Sequence, residues 1–274
     1  MLRPSATKVP EATVAFWMTK GLTTGMGESA SDYFVHRFPP AAAVAVGGVA
    51  FVAALAVQFA ARRYVPWIYW LAVAMVGVFG TMAADVLHVG LGVPYVVSTT
   101  FFAVALAVVF VVWFAVEGTL SIHSIDGWRR EAFYWAAVVT TFALGTAAGD
   151  VTAVTLHLGY FSSGVLFAIL IAVPAVAYGW LGLNAVMAFW IAYVLTRPLG
   201  ASFADWLGVS RARGGLDLGA NRVSLAAAIL IGGFVVYLTY GQRRAERAKG
   251  HPVDANVLGV PAPPTAHATM RSDS

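Results

Sequence analysis

The sequence predicts an all-α polytopic membrane protein: eight transmembrane helices, arranged as four parallel helix-hairpin repeats around a pseudo-fourfold axis. Three observations predict it. Of the 274 residues, 59% are hydrophobic and only 11% are charged, with a mean hydropathy of +0.76, whereas soluble domains carry about a quarter charged residues. The apolar residues fall in runs at 41–61, 67–87, 96–114, 161–180 and 223–240, each close to the ~20 residues that cross a bilayer as a helix. One pattern, aromatic-Trp-x9-Gly-x4-Asp, recurs four times.

The repeat sets the order of the elements. FWMTKGLTTGMGESASD (16–32), YWLAVAMVGVFGTMAAD (69–85), YWAAVVTTFALGTAAGD (134–150) and FWIAYVLTRPLGASFAD (189–205) align without gaps. They bring Trp17, Trp70, Trp135 and Trp190 into register, then Gly27, Gly80, Gly145 and Gly200, then Asp32, Asp85, Asp150 and Asp205. An apolar segment free of intramembrane charge follows each motif segment, so the unit is two helices. Spans are expected near 11–35, 40–61, 66–88, 95–118, 131–156, 160–181, 184–207 and 222–241.

Pro40, Pro66 and Pro94 stand at or near helix starts, where a missing amide is tolerated. Pro174 and Pro198 fall inside spans and predict kinks. Two helices per unit send all four motif helices across in one direction, as parallel repeats about an axis along the membrane normal. Residues 1–241 are expected to form one transmembrane domain. From 242 to 274 apolar periodicity is lost and Ala, Pro, Arg and Ser dominate, which predicts a disordered cytoplasmic tail. Met1–Pro10 is polar, and Lys20, Glu28 and Asp32 interrupt the first apolar segment, so no cleavable signal is expected.

The absence of cysteine excludes disulfides, thiolate metal sites and thiol catalysis. The net charge of +4 sits mostly in loops beside the helices, so no nucleic-acid partner is expected; the partners implied are the lipid bilayer and a small cation. Where motif helices begin, the loops carry Arg3, Lys8, Arg62, Arg63, Arg129, Arg130 and the basic run 243–249. The other side carries only Arg37, Arg211, Arg213 and Arg222. The excess places both termini in the cytoplasm, and the Asp residues toward the outer leaflet, about 22 Å along each helix from the Trp. Glu117, Asp126, Arg129, Arg130 and Glu131 are assigned to a solvated cytoplasmic loop.

The stretches VPEATVAFWMTKGLTTGMGESASDY and TRPLGASFADWLG resemble an uncharacterised bacterial "membrane-anchored protein" family, built of four copies of a transmembrane repeat of unknown function. The resemblance covers roughly residues 8–241 and implies the inner-membrane topology; it implies no activity.

At about 100° per residue, the position four before each Asp shares its helix face. These positions hold Glu28, Thr81, Thr146 and Ala201. His36, His88 and His157 follow their Asp residues by four, three and seven positions. Four like-oriented helices would thus present Asp32, Asp85, Asp150 and Asp205 with Glu28, Thr81 and Thr146 at one depth. Such a cluster suits proton carriage. With the three histidines it also suits a divalent metal ion such as Mn2+, the one cofactor the pattern suggests. Lys20 and Arg197 break the fourfold pattern nearer mid-membrane and are candidates for a gate or counter-charge, paired across the bundle if the first and last repeats are neighbours.

The expected function is transport of a small cation, divalent or proton-coupled. Two alternatives stay open: a non-transporting sensor or assembly protein in which the Asp residues are structural, and an outer-leaflet metalloenzyme. No His-Glu-x-x-His, nucleotide loop or serine nucleophile motif occurs, so no enzyme is expected. The glycines are read as packing sites for a close helix, and the Trp residues as interfacial anchors or wedges between repeats.

Overall fold

The computed structural model describes residues 7–250. The chain divides into two compact units, residues 1–239 and 240–274. The first holds α1 (Val14–Arg37), α2 (Pro40–Ala60), α3 (Pro66–Asp85), α4 (Tyr95–Glu117), α5 (Trp128–Asp150), α6 (Gly159–Trp180), α7 (Ala185–Gly208) and most of α8 (Ala220–Gly250). No strand occurs among the described residues. In the second unit the described residues, 240–250, continue α8, so the helix runs past 241, where the tail was expected to begin. The rest of that tail, with Arg3 at the other terminus, lies outside the described residues.

Local chemistry sets several helix ends. The Thr13 hydroxyl accepts from the Phe16 amide at 3.3 Å to cap α1, and the Asn184 side chain caps α7. Pro40 and Pro66 open α2 and α3. Gly118 closes α4 at φ +68°, a left-handed conformation that costs glycine least. Pro174 and Pro198 lie within α6 and α7, and both helices continue through them. After Asp85 and Asp150 the backbone widens into π turns at Val86–Gly90 and Val151–Thr155, whereas α1 and α7 pass their Asp residues as regular α-helix.

Among the described residues seven helices, α2 to α8, are long and apolar enough to cross a membrane. The eighth, α1, has the length but carries Lys20, Glu28 and Asp32 within 24 residues. Burial divides the helices into two kinds. In the most apolar stretch of α3, 61% of residues are buried, and in that of α2, α4 or α8 only 11%. The outer helices thus turn Val, Leu and Phe outward, as suits a chain solvated by lipid.

The motif helices touch in a closed succession: α1 packs on α3, α3 on α5, α5 on α7, and α7 on α1. Two levels of contact repeat around it. At the first, the aromatic preceding each Trp packs on the Trp of the next motif helix. Phe16 meets Trp70 at 5.6 Å, Tyr69 meets Trp135 at 5.7 Å, Tyr134 meets Trp190 at 6.0 Å, and Phe189 meets Trp17 at 5.6 Å. At the second, each motif glycine accepts the residue three before the next glycine. Gly27 abuts Gly77, Gly80 abuts Phe142, Gly145 abuts Arg197, and Gly200 abuts Thr24. Identical registers at two levels require the motif helices to run parallel.

The outer helices pack chiefly on the motif helix of the following repeat. α2 lies on α3, with a smaller contact to α1; α4 lies on α5, and α6 on α7. Small residues allow the approach: Gly48 faces the Phe79 ring, and Gly164 faces Phe203. The two helices of a repeat are therefore neighbours in sequence, while the broader packing ties one repeat to the next.

Candidate functional site

The site is a column of buried polar groups among the four motif helices. At the aromatic level the Tyr69 and Tyr134 hydroxyls hydrogen-bond each other. Three residues beyond the motif Trp, the inward positions are Lys20, Val73, Val138 and Tyr193, all fully buried. The Lys20 ammonium has no hydrogen-bond partner. It lies over the Phe142 ring at 4.0 Å and the Tyr193 ring at 4.1 Å, whose negative faces attract a cation.

One turn further sits Arg197, also fully buried. Its Nη2 donates to Glu28 Oε2 at 2.7 Å, to Thr146 Oγ1 at 2.8 Å and to Thr81 Oγ1; its Nη1 donates to the Thr24 carbonyl at 3.1 Å. One guanidinium thereby joins all four motif helices. Glu28, Thr81 and Thr146 each stand one residue after a motif glycine. The fourth such position is Ala201, four after Arg197 on its own helix, where a larger side chain would compete for the same space. Arg197 reaches the middle because Gly145, opposite, leaves room: a Cβ there would collide with the Arg197 side chain.

Beyond this layer lie the four Asp residues, each partly exposed. Among the described residues none of their carboxylates makes a hydrogen bond or ion pair. They are near enough to act on one another electrostatically, and Glu28 and Arg197 act on all four. Asp32 and Asp205 line one cavity of about 440 Å³ with Ser29, His36, Arg37, Arg213 and Asn221. Asp85 and Asp150 are outside its lining.

The histidines separate. The exposed His36 ring bonds the Asp32 carbonyl at 2.7 Å through Nδ1. His88 meets Ser98 at 3.1 Å and the Tyr95 ring at 4.4 Å, on α4. His157 is exposed in a turn at φ +55°. No three His, Asp or Glu side chains among the described residues are grouped so as to hold a metal ion.

The structure corrects the reading of a solvated loop around Glu117 and Glu131. Glu131, expected in a solvated loop, is fully buried in the first turn of α5, where Lys8 Nζ donates to it at 2.6 Å and Gln58 Nε2 at 2.9 Å. Lys8 reaches it because the N-terminal segment binds the chain on both sides, through Lys8 N to the Ile125 carbonyl (2.9 Å) and Tyr64 N to the Thr7 carbonyl (3.2 Å). Burial also pushes the Tyr64 hydroxyl up to about 12. The signal available beforehand was a glutamate in the first turn of an apolar helix, which also reads as a favourable helix-dipole contact. Glu117 is helical too, the last residue of α4, and its carboxylate, only 11% exposed, pairs with Arg130 at 2.8 Å and Arg129 at 3.6 Å in the first turn of α5.

Helices of this length and apolarity, repeated four times in one register, define a polytopic helical membrane protein with internal repeats. A family described as a repeat of unknown function, DUF347, matches residues 15–64, 68–119, 133–182 and 188–244. The chain belongs to that family. Each match covers one motif helix and the outer helix after it. No curated protein and no solved structure matches the chain.

Proposed function

We propose that the chain is an ion-coupled transporter of the bacterial inner membrane, with both termini cytoplasmic, that takes up and releases protons or another small cation at carboxylates from its four repeats. The observation that carries this reading is the order of charge along the bundle: unpaired Asp32, Asp85, Asp150 and Asp205, and beneath them Glu28 held by Arg197. Intramembrane carboxylates are costly and go with ion paths. Arg197 acts as a tethered cation, holding Glu28 while the site is empty and yielding it when an ion or proton arrives.

The closed succession of motif helices, with its two repeating levels, supports a pseudo-fourfold axis along the membrane normal with α1 as an eighth span. The dispersal of the histidines favours the proton over a divalent ion such as Mn2+, and weighs against an outer-leaflet metalloenzyme.

Purified protein in liposomes tests the proposal. Asp85→Asn or Asp150→Asn should abolish cation flux driven by a pH gradient while the protein stays monodisperse and helical. Wild-type flux in a variant with all four Asp changed to Asn, accompanied only by a lower Tm, would sink it. A second reading, a non-transporting sensor or assembly protein, draws support from Lys20, Phe142 and Arg197 filling the bundle axis. It predicts no flux from the pure protein and a partner that copurifies.

A further inference from the structure

The cleft between α8 and the pair α1–α7 changes chemistry along its length. At its deep end it is apolar, about 670 Å³ in volume, and lined by Gly21, Gly25, Gly200, Phe203, Ala227 and Leu230 among others. At the Asp end it continues as the charged cavity, and Ala204 lines both. One face of α1 follows the change: Leu22 and Gly25 line the apolar part, and Ser29, Asp32 and His36 the charged part, at the three- and four-residue spacing of a single helix face. From Leu22 to His36 is about 21 Å, close to half of a bilayer some 40–45 Å thick with its headgroups.

The charged part holds opposite charges apart. Asp32 and Asp205 share it with Arg37 and Arg213, yet no carboxylate–guanidinium pair forms among these four. Arg213 donates instead to the Tyr160 hydroxyl at 2.8 Å. The Ser29 hydroxyl, on a residue only 2% exposed, lines the cavity with no partner. Unpaired groups of both signs in one cavity match a ligand that carries both signs, and the apolar continuation matches a hydrocarbon tail.

We propose that this cleft binds one aminophospholipid of the leaflet at the Asp end. Its ammonium lies against Asp32 and Asp205, its phosphate against Arg213, and an acyl chain along the Gly21–Gly25 face of α1. An ammonium donates hydrogen bonds to two carboxylates, which a quaternary choline cannot, and an anionic glycerol headgroup brings no cation to them. This assignment goes beyond the transport reading and does not depend on it.

The test uses the full chain in nanodiscs of phosphatidylcholine doped with phosphatidylethanolamine or phosphatidylglycerol, with bound lipid read by native mass spectrometry. Phosphatidylethanolamine should be retained about tenfold better than either competitor, the ratio that 1.4 kcal/mol supports. The Asp32→Asn/Asp205→Asn double variant should lose that preference. Arg213→Gln should weaken phosphatidylethanolamine and phosphatidylglycerol alike, and Asp85→Asn, outside the cleft, should keep the wild-type pattern. Equal retention of all three lipids by the wild type overturns the proposal whether or not the variants fold. So does binding of soluble phosphoethanolamine without retention of the lipid, which would mark a site for a free zwitterion.

Discussion

Arg197 joins the four motif helices through one guanidinium, and its position explains why the fourth repeat departs from the others. A buried guanidinium must satisfy its donors or lose several kcal/mol of solvation. Here Glu28, Thr81, Thr146 and the Thr24 carbonyl supply acceptors to Nη1 and Nη2, and the Nε is left without one. Glu28→Gln removes the opposing charge and should destabilise the fold by about 3–5 kcal/mol, read as a drop in the denaturant midpoint. Replacing both partners, as in Glu28→Met/Arg197→Met, should recover most of that loss without restoring flux. Recovery of flux in the double variant would refute the gating role of the pair. Of the two charges out of pattern, Arg197 has its partner across the first and last repeats, in Glu28, whereas the Lys20 ammonium has only aromatic rings against it. The two threonine partners were legible as positions on the Asp face, but not as ligands of an arginine.

At the scale of the element, each motif helix is shaped by its glycine. A Cβ at Gly27 would stand 2.7 Å from the carbonyl carbon of Gly77, and two backbones cannot yield as a flexible side chain can. Gly27→Val should therefore cost at least the 1–3 kcal/mol typical of overpacking, so about that or more, and lower the yield of folded protein. Gly21→Ala, with open space around its Cβ position, should change the Tm little. If both variants melt alike, the glycine level is not what brings α1 against α3. The periodic glycine was visible in the sequence. That it receives the residue three before the next glycine was not, because registers between separate helices depend on side-chain volumes, and these differ at every copy: Thr24, Gly77, Phe142 and Arg197.

Over the whole molecule, burial is asymmetric from end to end. At the end bearing the motif Trp residues, Lys8, Gln58 and Glu131 form a buried network that ties the N-terminal segment to α2 and α5. Glu131→Gln leaves the Lys8 ammonium without its carboxylate and should release the segment. Hydrogen exchange should then rise at the Lys8 and Tyr64 amides while the centres of α3 and α5 stay protected. Unchanged exchange at both amides would show that the backbone bonds alone hold the segment. The other end is open and charged, with Asp and Arg side chains sharing a cavity.

The order of residues alone dictated the helices, their length, the four repeats and the common direction of the motif helices, because apolar runs and motif spacing are properties of one chain segment at a time. It also marked Lys20, Glu28 and Arg197 as exceptions. Packing decided which helices meet. The outer helices of the first three repeats, α2, α4 and α6, lean chiefly on the motif helix of the next, a choice between surfaces of similar apolarity that no local pattern encodes. Packing also sent His88 toward α4 and left His157 exposed, since the chain past Asp85 and Asp150 turns through π geometry instead of continuing the α-helical face, whereas His36, on the unbroken α1, stays exposed against the Asp32 carbonyl. The shared histidine register therefore dissolves in three dimensions, whereas the Asp register, set inside regular helix, survives.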